Sequence, residues 1–186
     1  MLFQFGRMSA EDGLVMQLHA GVIRNHHSRT FDRFGLDTGH DLPAVTSYSE
    51  PLRELLNDVG TNPRFQIVLF TVDETAFSRD IAPLAGFYPS VYAGAPWWFL
   101  DAPAAVARYR AAVTETAGFY KTSGFIDDTR ALLSIASRLD MSRRLDAAYL
   151  AGLVVNHQLS EAEALRIAQA LVSEIPRTAF RLAKAA

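Results

Sequence analysis

Compact apolar runs alternate along this chain with longer stretches whose apolar positions recur every three to four residues, and the alternation predicts strands and helices in turn. Residues from about Leu2 to Asp12 have the pattern of a helix, closed by Gly13, whose tolerance of positive φ makes it a natural stop. Leu14 to His19 is an apolar run suited to a buried strand, and Ala20-Gly21 turns the chain. A long polar connection follows, with Arg24 to Arg29 and Gly35 to Gly39, before Ser49-Glu50-Pro51 opens a helix through about Val59 with proline in its favoured first turn. Loops of this length in a domain usually carry function.

Phe65 to Phe70 is the second predicted strand, with Asn62-Pro63 before it and Thr71 to Glu74 after it, and a helix is expected from about Glu74 to Phe87. Pro89 to Gly94 reads as a shorter third strand. It leads through Ala95-Pro96-Trp97-Trp98-Phe99 into a helix from about Ala102 to Tyr120, with Pro103 near its start. Phe125-Ile126-Asp127-Asp128-Thr129-Arg130 reads as a fourth short strand that ends abruptly in polar side chains. Beyond it the pattern is helical over about Ala131 to Leu139, Arg143 to Asn156 and Ser160 to Ser173, the last opened by the capping box Ser160-Glu161-Ala162-Glu163.

Four strand and helix units with short connections predict an α/β fold with a parallel sheet and right-handed crossovers. Two architectures satisfy this, a small open sheet or half of a (β/α)8 barrel. The first helical pattern starts mid-element, which favours the half barrel. No repeat, low-complexity tract or linker suggests a second domain.

Composition narrows the function classes. A chain of 186 residues that is 49% hydrophobic and 20% charged has the makeup of one globular domain with a substantial core. Its 18 basic and 20 acidic residues leave a net charge of -2 without a basic block, so the electrostatic case for nucleic acid or an acidic membrane is missing. There are no cysteines, which excludes disulfides and thiolate metal sites and fits a reducing cytoplasm. The apolar runs are far shorter than the roughly 20 residues of a spanning helix, so a soluble cytoplasmic protein is expected.

The polar residues just past each strand outline a pocket, because ligands bind at the carboxyl ends of parallel strands. They are His19 and Arg24 after the first, Asp73 and Glu74 after the second, Trp97 and Trp98 after the third, and Asp128 and Arg130 after the fourth. Carboxylate and imidazole can ligate a metal or move protons, guanidinium holds anions bidentately, and an indole packs on a sugar ring. Each also has a structural reading. Asp127 or Asp128 can cap the following helix, and Asp73-Glu74 has the form of an N-cap with a first-turn acid. His19 can be a satisfied histidine near the core, the arginines can pair with helices, and the tryptophans can simply pack. Neither dinucleotide-binding nor phosphate-loop glycine motifs occur, nor does the nucleophile elbow of hydrolases, and neighbouring His26-His27 lacks helical zinc spacing.

In Val15 to Asn25, Gly35 to Gly39, Ala95 to Phe99 and Asp128-Thr129-Arg130, the chain resembles the C-terminal half of the uronate (glucuronate) isomerase family, within the metal-dependent amidohydrolase-like barrels. The resemblance runs nearly end to end. It implies that residues 1–186 form a single partial barrel domain, equivalent to strands 5 to 8 plus C-terminal helices. The implied activity is aldose–ketose isomerisation of D-glucuronate to D-fructuronate and of D-galacturonate to D-tagaturonate. Asp128 then corresponds to the last-strand carboxylate that approaches a divalent metal, zinc being expected, and takes part in proton transfer. Arg130 corresponds to its partner, holding substrate oxygens and stabilising negative charge. His19, Arg24 and Trp97 correspond to substrate-binding positions, Arg24 facing the uronate carboxylate and Trp97 packing on the sugar.

Departures from the family pattern are as informative. No His-x-His pair occurs among the five histidines, and Asn25-His26-His27 replaces an asparagine-rich run. Asp128 with His19 supplies too few donors for a tight metal site, since hard divalent ions take about six and zinc about four. This polypeptide alone is therefore expected not to be a competent isomerase, and to self-associate or to need a missing N-terminal barrel half, because a cut barrel exposes two strand edges and an apolar lumen face. A non-catalytic barrel remnant acting as an interaction module, or a metal-dependent hydrolase of the same superfamily, are the alternatives. No histidine ends the Phe65 strand, which weighs against the hydrolase.

Overall fold

The computed structural model describes residues 1–129 and 131–182. Helix α1 spans Leu2–Asp12 and stops at Gly13, whose φ of 72° lets the chain reverse into strand β1, Val15–Ala20. A two-residue antiparallel ribbon, β2 (Val22–Ile23) and β3 (Leu42–Pro43), brackets helix α2, Ser28–Phe34, where a loop was expected. Helix α3, Ser49–Val59, buries Leu52, Leu55, Leu56 and Val59 along one stripe. Strand β4, Gln66–Thr71, is buried at every position and lies between β1 and the three-residue strand β5, Val91–Ala93. Both pairings are parallel, with His19 level with Phe70 and Leu69 level with Ala93.

Between β4 and β5 the chain forms α4 (Glu74–Ala76), a π-helical turn (Phe77–Ile81) and α5 (Ala82–Phe87), which together replace the single expected helix. Helix α6 spans Pro103–Ala117. The two helices expected on either side of residue 140 are one helix, α7, Ile135–Val155. Helix α8, Glu161–Val172, is capped by the Ser160 hydroxyl, which accepts the Glu163 N–H at 3.2 Å, and α9, Glu174–Ala179, follows. Among the described residues no helix is long and apolar enough to cross a membrane.

Period-two alternation assigns the sheet's two faces. Ile67, Leu69, Val91 and Ala93 pack beneath α3, α5 and α6 in the main core, where Phe77 and Tyr109 meet edge to face. The opposite face presents Val68, Phe70 and Tyr92. This lumen-type face was expected to be open. At β4 it is instead covered by Trp97, Ala179 and Phe180, leaving Val68 and Phe70 fully buried, while Gln17 and His19 of β1 on the same face stay exposed. Arg181 anchors the covering segment by donating to the carbonyls of Gly13, Pro63, Arg64 and Phe65 at the amino ends of β1 and β4. The outer edge of β1 has no strand partner among the described residues, and a largely apolar groove of about 610 Å³ lies against the inner face of β1, lined by Leu14, Val15, Gln17, Ile126 and Phe180.

The expected fourth strand does not form. Only one parallel bridge, Ala93 with Thr122, extends the sheet, with the Ser123 N–H donating to Ala93 O at 2.8 Å. Gly124 then takes φ 68°, tight against Leu171 O and Pro176, and turns the chain out of the sheet plane. Residues 125–129 are consequently a loop across the carboxyl end of the sheet. Arg130, expected to close this segment, lies outside the described residues.

Candidate functional site

The carboxyl ends of β1, β4 and β5 carry the polar residues to one rim, as a parallel sheet dictates. His19 ends β1 with an exposed edge, while its ring packs on Phe70, with centroids 6.2 Å apart, and on the edge of Trp97 at 5.7 Å. Burial pushes the imidazole below its usual value of 6.5, and the nearby charge of Asp128 partly opposes the shift. Burial thus favours the neutral ring over the imidazolium. Asp128 is exposed and has no hydrogen-bond or ion-pair partner among the described residues.

Its neighbour is quite different. Asp127 accepts from the Thr129 hydroxyl on one oxygen and from Arg138 Nε on the other, leaving its side chain 6% exposed. The tandem acids thus divide into a tethered Asp127 and an Asp128 that is exposed and without a partner among the described residues. Arg138, in the first turns of α7, also pairs with Asp101 behind β5. Asp101, Asp128, Ser134, Arg138 and Trp98 line an open cleft of about 350 Å³.

The two tryptophans separate as adjacent positions must. Trp97 stacks on Phe70, and its Nε1–H donates to Ile126 O at 2.7 Å. Gly94 permits this approach, since a Cβ there would meet the Phe70 ring at 2.4 Å. Trp98 takes φ 57°, an uncommon conformation for an aromatic residue, and it rather than Trp97 lines the cleft. The Arg24 guanidinium lies over the Trp98 ring, 5.3 Å from its centroid. It also pairs with Asp37 at 2.6 Å and Asp41 at 3.0 Å, tying the excursion between β1 and α3 to the rim.

Asp73 and Glu74 take their structural roles. Burial works against the Asp73 carboxylate, but hydrogen bonds from the Thr46 and Thr75 N–H groups and the Thr75 hydroxyl, with the Arg79 charge, hold its pKa below 3.8. Glu74 is held low by the bidentate Arg108. The structure therefore gathers His19, Trp97 and Asp128 at one place, with Arg24 reaching the same rim through Trp98. Asp101 and Arg138 were not singled out from the sequence, and Trp98, named among the strand-end residues, was given no substrate role beside Trp97. Their placement depends on a left-handed backbone turn and on an arginine meeting carboxylates 11 and 37 residues earlier, neither of which leaves a local signal.

The model of the family described as glucuronate isomerase matches residues 1–179. The chain belongs to this family. It is 53% identical over 182 residues to a uronate isomerase of Brucella canis, an alignment covering 98% of this chain and 39% of that protein. A uronate isomerase of Xanthomonas campestris pv. campestris is 49% identical, with the same coverage. The crystal structure of glucuronate isomerase from Caulobacter crescentus superposes with TM-score 0.95 at 47% identity, over 100% of this chain and 39% of that one. Uronate isomerase from Thermotoga maritima gives 0.89 at 32% identity, over 97% and 40%. The chain thus spans about two fifths of the length of these family members.

Proposed function

We propose that this chain is part of an aldose–ketose isomerase that converts D-glucuronate to D-fructuronate and D-galacturonate to D-tagaturonate. The observation carrying the reading is Asp128, without a hydrogen-bond or ion-pair partner among the described residues, near His19 at the carboxyl end of a parallel sheet, in a chain of the glucuronate isomerase family. Aldose–ketose exchange moves a proton between neighbouring carbons and needs a carboxylate free to take it, with donors to hold the oxygens as they gain charge. Asp128 is the proton-transfer group and Arg130 the oxygen-holding group. His19 forms a hydrogen bond with a sugar hydroxyl, and Trp97 forms the apolar wall behind it. Arg24 receives the uronate carboxylate by exchanging its exposed partner Asp37 while keeping Asp41.

Family members are metal-dependent, but the residues here do not make up a metal centre. Among the described residues no three His, Cys, Asp or Glu side chains converge. Asp128 with His19 offers two donors, fewer than zinc or any harder divalent ion requires. We infer that the remaining ligands come from further barrel strands that dock along the free edge of β1, this chain contributing the later strands of a (β/α)8 barrel.

The test mixes this chain with the amino-terminal part of a related uronate isomerase and a divalent metal, and follows glucuronate conversion. Activity is expected in the mixture only, and Asp128→Asn abolishes it. Turnover by this chain alone overturns the shared site. A formed complex that is inactive, or one indifferent to Asp128→Asn, overturns the catalytic assignment.

A further inference from the structure

The geometry points to Arg138 as a positioning residue that clamps the loop carrying Asp128, by pairing at once with Asp127 in that loop and with Asp101 behind β5. The inference rests on the reading of Asp128 as the reacting carboxylate. Residues 125–129 form no strand, so sheet pairing cannot hold them in place. Two side-chain contacts do so instead. One is the Trp97 Nε1–H bond to Ile126 O, and the other is Arg138, whose Nε donates to Asp127 while its Nη2 reaches Asp101.

The three charged groups are shielded, with side-chain exposures of 26% for Arg138, 14% for Asp101 and 6% for Asp127. Shielded pairs with charge-assisted bonds hold geometry better than solvated ones. Arg138 itself stands on a braced helix. The buried pair of Arg110 Nε with Asp146 Oδ1, at 2.8 Å, and the Thr114–Tyr149 hydroxyl contact at 3.0 Å fasten α7 to α6. The clamp therefore transmits the position of α6 and α7 to the loop. By pairing with Asp127 it also leaves Asp128 as the carboxylate of the tandem without a hydrogen-bond or ion-pair partner among the described residues. An arginine is required, because a lysine ammonium is a point charge that cannot span two separate carboxylates in a fixed plane.

The chain contains only two tryptophans, so its indole N–H signals report on this region with little overlap. In nitrogen-15 labelled protein the Trp97 indole proton, assigned with Trp98→Phe, is expected to exchange slowly. Arg138→Ala should speed its exchange and that of the amides of residues 125–129 by at least about tenfold, as expected when a charge-assisted bond no longer closes a local structure. The amides of β4 should be unaffected. Arg138→Lys should restore less than half of the protection in logarithmic terms. Unchanged Trp97 exchange in Arg138→Ala, full rescue by lysine, or equal loosening of β4 would each overturn the clamp.

If Arg138→Ala does not fold, Asp101→Asn takes its place, and an unchanged indole signal there overturns the proposal. In the reconstituted enzyme, loss of the clamp should lower kcat with KM within about twofold, since it disturbs the reacting group more than the binding contacts. A clamp intact by exchange in a protein indifferent to Asp128→Asn would show instead that the catalytic assignment had failed.

Discussion

Trp97 lies flat against Phe70, with ring centroids 4.0 Å apart and planes inclined by 15°, while its neighbour Trp98 faces the cleft. One indole thus completes the covering of the inner sheet face and the other is exposed to whatever enters. The backbone accomplishes the division by a left-handed step at Trp98.

Trp97→Ala should cost about 3–5 kcal/mol, the usual price of removing a packed tryptophan. Trp98→Gly should cost far less, because relief of the positive φ, worth about 1 kcal/mol, offsets the lost contacts. Urea denaturation of the two variants measures the difference, and equal losses would refute this division of roles.

The buried pair of Arg110 and Asp146 predicts a second asymmetry. Asp146→Ala leaves a charged guanidinium buried and should destabilise by about 3–5 kcal/mol, whereas the joint change Arg110→Met with Asp146→Leu should recover most of that loss. Thermal unfolding of the single and double variants decides it.

Asp73 predicts a pH dependence. Its folded-state pKa lies below the unfolded value of 3.8, so its stabilisation is present above that value and is lost as pH falls through the folded value. Stability measured against pH should therefore drop in acid, and Asp73→Asn should flatten that part of the curve. The same change should cost about 1 kcal/mol at neutral pH, because an amide keeps one acceptor oxygen for the Thr75 cap and loses the one that accepts the Thr46 N–H.

Arg24 predicts opposite effects from two neighbouring changes. In the reconstituted enzyme, Arg24→Ala should raise the uronate KM by tenfold or more, about 1.4 kcal/mol or more of lost charge-assisted contact. Asp37→Asn should lower KM, because it removes the carboxylate that competes with substrate. A rise in KM for Asp37→Asn would place the substrate carboxylate elsewhere.

The sequence alone determined those features whose causes are local. Helix α1 ends where Gly13 permits a positive φ, Ser160 caps α8 through the Glu163 N–H, and Asp73 caps α4 as its place before Glu74 predicts. The apolar runs ending in His19 and Phe70 became parallel neighbours, but only the second is buried on both faces as its composition predicts, while Gln17 and His19 of the first stay exposed. The motifs at Val15 to Asn25, Ala95 to Phe99 and Asp128 to Arg130 also placed the chain in its family. Contacts between distant segments decided the rest. A strand needs a partner with free ladder groups, and the segment near Phe125 found a single bridge before Gly124 turned it away. Phe180, on a segment anchored by Arg181, covered the β4 part of a face that was expected to be open, and Arg138 chose between two adjacent aspartates. Such choices depend on which side chains converge from opposite ends of the chain, and that is a property of packing rather than of any local pattern.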